Sequence, residues 1–381
     1  MPERSSRIDA RLKERLIALA TALVDQARAR VLVPPQQRAS GFWFGGGNAV
    51  RAADGTWYLA GRYRNQGDSR TGLAAGTRGL ELAVFAAPGF FGPFEKVKSF
   101  SKADLSAPGR AVISIEGSAL FQAGDRLELY VSSEKDLPYP APVRPYQKSG
   151  TGVWSIDRLQ AADVSALDPA TLQPALASDE PATLHVKDPV VFDHPAGGTA
   201  MIFCSHPFTW SSSNSGLAVR KPGQARFTVV AGGVLGRGPV WDVAATRITD
   251  RLPVPRLGPF RDLPPLSLYF YDGAECLRPH EQHAWAVRRP RGHSCEEIGG
   301  LAWGFDHLFP RMERLSVECP LFVSPYGTGC SRYVSTLVTE AAIYASWQQS
   351  QPDLSQPLVG HALPMEVVEA ILSGEAARRG G

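Results

Sequence analysis

The chain has 381 residues, which is enough for two ordinary domains or for one large all-β domain. Its 40 basic and 37 acidic residues leave a formal charge of +3, so the sequence predicts no strongly basic face for nucleic acid. The 37 glycines, 31 prolines, eight tryptophans and ten tyrosines are typical of strands and turns rather than of helices. We therefore expect a β protein that binds a small polar ligand.

The first predicted element is one amphipathic helix. Apolar residues recur at spacings of three and four from Ser6 to about Arg30, and Pro34 and Pro35 follow them. We expect this helix to pack on the main domain, with binding to a partner as the alternative. Charged residues at positions 13–15 interrupt the apolar pattern a signal peptide needs, and no apolar run reaches 18 residues. The sequence thus favours a cytoplasmic protein without a membrane span.

The central part of the chain repeats a unit of strand, turn and strand. In the first unit an Asp54-Gly55 turn joins two apolar strands, which is a hairpin signature. The polar residues that lead the five units recur after 68, 72, 54 and 76 residues; they are Asn48, Glu116, Asp188, Asp242 and Glu318. In the fifth unit, residues 317–323 are predicted to form the leading strand and residues 332–336 the strand behind it. A period of this length suits propeller blades of four strands.

The predicted fold is therefore all-β, a five-bladed β-propeller with a helix at each end. The N-terminal helix and a linker occupy residues 1–40, the propeller residues 41–360, and a C-terminal helix and tail residues 361–381. The second helix is predicted from Pro364 to Ser373 and ends at Gly374. The five cysteines include no CxxC pair, so we expect reduced thiols rather than a metal site.

The leading residues are the candidate catalytic groups. The first strand of each propeller blade lines the central channel, so these residues are predicted to converge there. Converging carboxylates repel one another, which raises at least one pKa, as a general acid requires. Glycoside hydrolysis needs one carboxyl as acid and another as base or nucleophile. We expect Glu116, in an apolar setting, to be the proton donor, Asp188 to be the base or transition-state stabiliser, and Asp242 and Glu318 to complete the set.

Short motifs in these units resemble the five-bladed propeller glycosidases of glycoside hydrolase families 43, 32, 68 and 130. Lys187-Asp188-Pro189 is similar to the Arg-Asp-Pro motif of family 32, whose Asp stabilises the transition state. Glu318-Cys319-Pro320 is similar to the Glu-Cys-Pro of that family, whose Glu is the general acid, and Glu275-Cys276 competes for the same resemblance. Ile115-Glu116-Gly117 resembles a blade of the family 130 mannoside phosphorylases.

The sequence also departs from these families. Families 43 and 32 carry an essential Asp in the first blade, where this chain has Asn48. Asp68 is the candidate replacement. Asp54, Asp125 and Asp272 lie in turn contexts and are interpreted as structural.

Further side chains are candidates for substrate binding. The arginines of the first unit are predicted either to pair with the channel carboxylates or to hold an acidic group of the substrate. Tryptophans offer apolar faces for sugar rings. The binding candidates are Asn48, Arg62, Arg64, Asp68, Arg70, Trp210, Trp241 and Glu275.

The sequence thus predicts a glycosidase that cleaves a short, acidic or furanosidic saccharide, with inversion. A glycoside phosphorylase and a non-catalytic sugar-binding propeller are the two alternatives. The expected partner is a small saccharide, and we expect no cofactor, metal, nucleic acid or membrane to take part.

Overall fold

The computed structural model describes residues 7–65, 79–277 and 297–375. Five antiparallel sheets surround a central channel; four contribute their first strand to the channel wall, and the sheet whose strands lie between residues 43 and 101 contributes residues 46–48, which lie between two of its strands. This confirms the predicted five-bladed β-propeller. Neither helix of the described chain is long and apolar enough to span a bilayer.

The first three blades follow one another along the chain. Blade one comprises β2 (Trp43–Gly45), β3 (Ala49–Arg51), β4 (Trp57–Arg64), β5 (Glu81–Ala87) and β6 (Glu95–Ser101). Blade two comprises β7 (Val112–Ala123), β8 (Arg126–Lys135), β9 (Val153–Ala161) and β10 (Gln173–Leu176). Blade three comprises β11 (His185–Asp193), β12 (Thr199–His206), β13 (Asn214–Arg220) and β14 (Thr228–Leu235).

The last two blades complete the circle. Blade four comprises β15 (Ala245–Pro253), β16 (Leu266–Ala274), β17 (Ile298–Phe305) and β18 (Glu313–Arg314). Blade five comprises β19 (Ser331–Val338), β20 (Ala342–Gln349), β21 (Leu358–Pro364) and, as its outer strand, β1 (Arg30–Val33) from the start of the chain. This strand closes the ring, although the sequence analysis placed residues 30–33 in the N-terminal segment.

The two helices pack on blades four and five. Helix α1 (Ala10–Leu23) is shorter than predicted, and Asp9 caps it by accepting a hydrogen bond from Leu12 N at 2.8 Å. Helix α2 (Met365–Ser373) ends at Gly374, whose φ of 77° is the left-handed conformation expected there. Leu16, Leu19 and Leu23 of α1 join one apolar core with residues of α2, β16 and β20.

The predicted strands of blades one to three are confirmed, but the openings of blades four and five are wrong. Residues 241–244 precede β15 without forming a strand, and residues 317–323 form no strand either. The first strand of blade five is instead β19, which the sequence analysis placed behind another strand. Pro320 lacks the backbone N–H that an interior strand position needs, which disfavours a strand at residues 317–323.

Each channel-lining strand of blades two to five carries a β-bulge. The pairing register shifts between Ile115 and Ser118 and between Lys187 and Val190. The corresponding shifts in the last two blades lie between residues 248 and 250 and between residues 332 and 335. Bulges leave residues unpaired and redirect their side chains, so this level of the channel is where the fold can present functional groups.

Asn48 joins blade one to blade two. Its side-chain amide donates to Leu120 O at 2.9 Å, and its oxygen accepts from Leu120 N at 2.7 Å. Nearby, Ser118 N donates to Gly46 O at 2.8 Å, which continues the connection between the blades. Because one carboxylate cannot both donate and accept, an Asp at this position would lose half of the contact. The structure therefore gives Asn48 an architectural role.

We expect Asn48→Ala to lower the free energy of unfolding by about 1–3 kcal/mol, because Leu120 N and O would lose their partners in a half-buried site. Urea denaturation of purified protein measures this change. Gln122→Ala is the control, since Gln122 makes an exposed local bond to Gly124 O. Equal stability of the two variants would contradict the assigned role.

Candidate active site

Ten buried or half-buried side chains form a charged group beside the channel. They come from blades one to five and include five cations and four carboxylates that contact one another directly or through a shared partner. We call this group the ionic cluster; it consists of Arg62, Arg64, Glu116, Lys187, Asp188, Arg247, Asp272, Glu297, Arg332 and Tyr333.

Glu116 is held by cations of two neighbouring blades. Its carboxylate accepts from Arg62 Nε at 2.8 Å and also from Arg62 Nη2, and Arg64 Nη1 lies 3.8 Å away. Burial raises the pKa of Glu116, but Arg62, Lys187 and Arg64 outweigh burial and hold it far below its usual value. The predicted rise in the pKa of Glu116 is therefore wrong, because its cationic neighbours keep the carboxylate ionised.

Asp188 lies between blades two, three and four. Its Oδ1 accepts from Gly117 N at 3.0 Å, and its Oδ2 lies 3.3 Å from Arg247 Nη1 and 3.7 Å from Lys187 Nζ. Asp188 N donates to Ser132 Oγ at 2.8 Å, and the residue has a φ of 51°. Such a conformation is strained for a non-glycine residue, and strain of this kind clusters at functional sites.

Arg247 joins Asp188 to two further carboxylates. Its Nη2 lies 2.8 Å from Asp272 Oδ2, its direct partner across β15 and β16, and 3.0 Å from Glu297 Oε2. Burial raises the pKa of Asp272 to about 6; Arg247 opposes the rise and the charge of Glu297 adds to it. Burial also raises the pKa of Glu297, but Arg247 and Arg332 together hold it well below its usual value. The cluster therefore holds carboxyls with opposite protonation preferences.

Aromatic rings fix the positions of the cations. Tyr333, at a φ of 55°, lies 4.1 Å from the Arg247 guanidinium and contacts those of Arg62 and Arg332 at 5.6 and 5.4 Å. Trp43 lies 4.5 Å from the Arg64 guanidinium and 4.4 Å from that of Arg332. Planar guanidinium groups stack well on such rings. These contacts pre-organise the donors before any ligand arrives.

Lys187 lies between two tryptophans. Its ammonium is 5.5 Å from the Trp154 ring and 5.7 Å from the ring of Trp210. Trp210 is half-buried, has a φ of 56°, and packs against His185 and His206 at 4.5 and 4.3 Å. Burial lowers the pKa of His185 to about 3, and Lys187 adds to the effect, so His185 is neutral. Trp210 therefore forms a rigid apolar wall beside the cluster.

The channel next to Asp188 and Tyr333 contains a cavity of about 40 Å³, which also meets Asn48, Ser118 and Asp250. This volume fits water rather than a sugar ring. The most solvent-accessible members of the cluster are Glu297, at 24% side-chain exposure, and Glu116 and Lys187, at 11% each. A larger ligand would approach the cluster from this exposed side.

Asp242 does not belong to the cluster. Its Oδ2 accepts from Arg314 Nε at 2.9 Å and from the Tyr271 hydroxyl at 3.0 Å. Its side chain also lies against Gly273, whose position on β16 faces away from that of Asp272 because strand side chains alternate. Asp242 therefore lies across β16 from Asp272, and its predicted convergence with Glu116 and Asp188 is wrong.

Other candidates also lie apart from the cluster or outside the described residues. Glu318 is exposed in the segment before β19, so its predicted place in the channel is wrong. Trp241 stacks on Tyr271 at 5.6 Å and donates to Ser316 O, which places it in the core. Glu275 is half-buried just after β16. The candidates that lie outside the described residues are Asp68 and Arg70.

Four of the ten cluster residues were predicted site residues, and Lys187 was named only as part of the motif around Asp188. Asp272 was interpreted as a turn residue because Gly273 follows it, but it lies within β16, whose nine residues are all buried. The signal in the sequence that could have identified it is the acidic residue that directly follows the largely apolar run of residues 266–271. Sequence analysis also assigned no site role to Arg247, Glu297, Arg332 and Tyr333, because nothing in their local sequence marks them.

No metal centre is evident in the described chain. Across residues 7–65, 79–277 and 297–375, no three His, Cys, Asp or Glu side chains are arranged to hold a metal ion. Cys276 is disulfide-bonded, whereas Cys204, Cys319 and Cys330 are free. The prediction of reduced thiols is therefore wrong for Cys276. Disulfides persist mainly in oxidising compartments. The cysteines therefore do not support the predicted cytoplasmic location.

Solved structures share this architecture at low sequence identity. A protein solved as an RGII complex is 13% identical, covering 92% of this chain and 95% of its own, with a TM-score of 0.61. A protein named a glycoside hydrolase is 12% identical, with coverages of 93% and 96% and a TM-score of 0.59. A glycosyl hydrolase from Bacteroides ovatus is 9% identical, with coverages of 89% and 91% and a TM-score of 0.54.

These likenesses confirm the fold, a five-bladed propeller of the kind found in glycoside hydrolases. No protein-family model matches the sequence, and no curated protein matches it either.

The close approach of Gly117 in blade two to Asp188 in blade three allows a prediction about stability. A Cβ on Gly117 would lie 2.3 Å from Asp188 Oδ1, so Gly117→Ala is expected to lower the free energy of unfolding by about 1–3 kcal/mol. Gly232→Ala is the matched control, because a Cβ there meets nothing within 4 Å. Urea denaturation of both variants measures the difference. A stability of Gly117→Ala equal to that of the control would refute the close approach.

Proposed function

We propose that this protein is a glycoside hydrolase that uses the ionic cluster as its active site. The observation that carries the proposal is the separation of protonation states within one cluster. The pKa of Glu116 is held low, while that of Asp272 is raised to about 6. A site that keeps one carboxyl ionised, and in which another keeps its proton up to a pH of about 6, offers the base and the acid that glycoside cleavage requires.

Glu116 is the proposed base. It is ionised, oriented by Arg62 and Arg64, and partly accessible to solvent. In this role it takes a proton from a water molecule as the water oxygen bonds to the anomeric carbon. Because water rather than the carboxylate attacks, the proposed outcome is inversion.

Asp272 is the proposed proton donor. It gives its proton to the glycosidic oxygen as the bond from that oxygen to the anomeric carbon breaks. Asp188, held by Gly117 N and Arg247, is the proposed stabiliser of the positive charge that develops on the sugar ring. Asp242 and Glu318 have no role in this scheme.

The proposed sugar-binding wall is Trp210. Its ring is half-buried beside Lys187, and the apolar face of a sugar ring packs well against an aromatic surface. Glu297, Glu116 and Lys187 are the most exposed members of the cluster, and we place the approach of the saccharide on their side. The cavity on the channel side, at about 40 Å³, is too small for a sugar ring.

The proposal is tested by a screen of aryl furanosides, pyranosides and uronides with purified protein. Release of the aryl group in phosphate-free buffer supports hydrolysis. Release only when inorganic phosphate is present would identify a phosphorylase instead. Tight sugar binding without turnover of any substrate would identify a non-catalytic binding propeller.

Asp188→Asn should lower kcat by at least about a hundredfold on the best substrate of this screen, the scale expected for a lost catalytic carboxylate. The asparagine keeps an oxygen for Gly117 N but loses the charge that pairs with Arg247, so kcat is expressed per folded molecule. Asp242→Asn is the matched control, because Asp242 is equally buried but lies across β16; it should keep wild-type kcat per folded molecule. Similar losses in both variants would argue against this site.

The rate should also depend on pH through Asp272. Its pKa of about 6 in the folded protein means that it is protonated below that pH, so kcat/KM should fall as pH rises through about 6. Asp272→Asn cannot transfer a proton and should show a low rate without this decline. A pH profile measured on a substrate whose leaving group needs protonation checks both points. An unchanged decline in the variant would exclude Asp272 as the donor.

A further inference from the structure

The ionic cluster is rich in cationic side chains. Five of its ten members are cations, and all five are buried. Buried cations are costly to a folded protein unless anions pair with them. Protonation of Asp272, whose pKa is raised to about 6, removes one of the anions that the cluster itself supplies. An anionic ligand is therefore compatible with this site.

Two guanidinium groups of the cluster have unused donors. Arg62 Nη1 and Arg332 Nε are buried and have no hydrogen-bond partner among the described residues. The Arg62 side chain is fully buried, and that of Arg332 is 93% buried. Arg62 Nη1 would lie 3.5 Å from a Cβ on Gly46, a residue that lines the channel. A buried donor without an acceptor normally costs about 1–3 kcal/mol, which a bound acceptor would offset.

The same two arginines are already positioned for a ligand. Tyr333 contacts both, and Trp43 packs on Arg332 at 4.4 Å. The other nitrogens of Arg62 bind Glu116, and Arg332 Nη1 binds Glu297. The free N–H groups therefore lie next to the proposed base, Glu116, and next to the accessible carboxylate, Glu297.

The chemistry of these donors selects between sugars. A neutral sugar presents hydroxyl groups, each of which donates as well as accepts, whereas guanidinium and ammonium groups only donate. A carboxylate only accepts, and it forms charge-assisted bonds with arginine that are about twice as strong as neutral ones. A sugar carboxylate therefore matches a donor-rich pocket better than a sugar hydroxyl does.

We infer that the sugar bound at the ionic cluster carries a carboxylate, as a uronic acid does, and that Arg62 Nη1 and Arg332 Nε bind this group. The inference rests on the proposed function, since it names the substrate class of the same site. Arg332 determines the specificity for the sugar carboxylate, whereas Arg62 also binds Glu116. Arg332 is thus the better residue to change, because Glu297 keeps Arg247 as a partner when Arg332 is lost.

Calorimetric titration tests the inference without requiring turnover. Wild-type protein is titrated with glucuronate and glucose and with galacturonate and galactose, so that each acid has its neutral counterpart. At least one uronate should bind about tenfold or more tightly than its neutral partner, the scale of one charge-assisted hydrogen bond. Equal binding within both pairs, or no measurable binding of either uronate, would overturn the inference.

Arg332→Gln should reduce this preference for the acid at least about tenfold. Arg110→Gln is the control for lost charge, because Arg110 lies 3.9 Å from Asp157 outside the cluster; it should keep the wild-type preference. Arg332→Lys retains the charge without the guanidinium fork and serves if the glutamine variant does not fold; it should lose part of the preference. An unchanged preference in a folded Arg332 variant would contradict the assignment.

Inorganic phosphate and sulfate are titrated in parallel. Phosphate binding that exceeds uronate binding and is lost in Arg332→Gln would overturn the sugar carboxylate in favour of a free phosphate. The outcomes also separate this inference from the proposed function. Uronate binding without turnover of any glycoside keeps the inference and removes the hydrolase, whereas turnover restricted to neutral glycosides does the reverse.

Discussion

The buried guanidinium of Arg247 is the contact on which the centre of this protein depends. It joins Asp188 of blade three, Asp272 of blade four and Glu297, and its face packs on Tyr333 of blade five. At 3% exposure it has little access to water, so its charge must be balanced by these carboxylates. Removal of Arg247 would leave three carboxylates in a low-dielectric site with fewer cations. The same ion pairs of Arg247 therefore hold three blades together and set the pKa values of their carboxyl groups.

The backbone makes this convergence possible. Regular strands would point their side chains alternately into the two faces of each blade. The bulges in β7, β11, β15 and β19 break that alternation at one level of the channel. Asp188 and Tyr333, at φ values of 51° and 55°, are the residues that these distortions place at the centre. Gly117 completes the arrangement, because no side chain fits between its backbone and Asp188.

The neighbouring cations give the carboxyl groups of this site different pKa values, which a ring of carboxylates alone would not have. Glu116 and Glu297 each have at least two cationic neighbours, and their pKa values fall despite burial. Asp272 has Arg247 but also the nearby charge of Glu297, and burial prevails. Asn48, by contrast, uses both ends of its amide to bind the backbone of Leu120 and so joins two blades. The position at which families 43 and 32 carry an essential Asp carries a structural contact instead.

The sequence by itself determined the architecture, the two helices, the strands of blades one to three and the candidates Glu116, Asp188, Arg62 and Arg64. These features follow from local patterns: hairpin turns, alternation of apolar residues and a polar residue at the head of a strand. Only the tertiary structure decided that Asp242 and Glu318 lie elsewhere and that Arg247, Asp272, Glu297, Arg332 and Tyr333 belong to the cluster. The protonation of Glu116 likewise depends on Arg62, 54 residues away in sequence. Bulges and long-range ion pairs set these outcomes, and neither has a local signature, because the energy of a buried charge depends on neighbours from other blades.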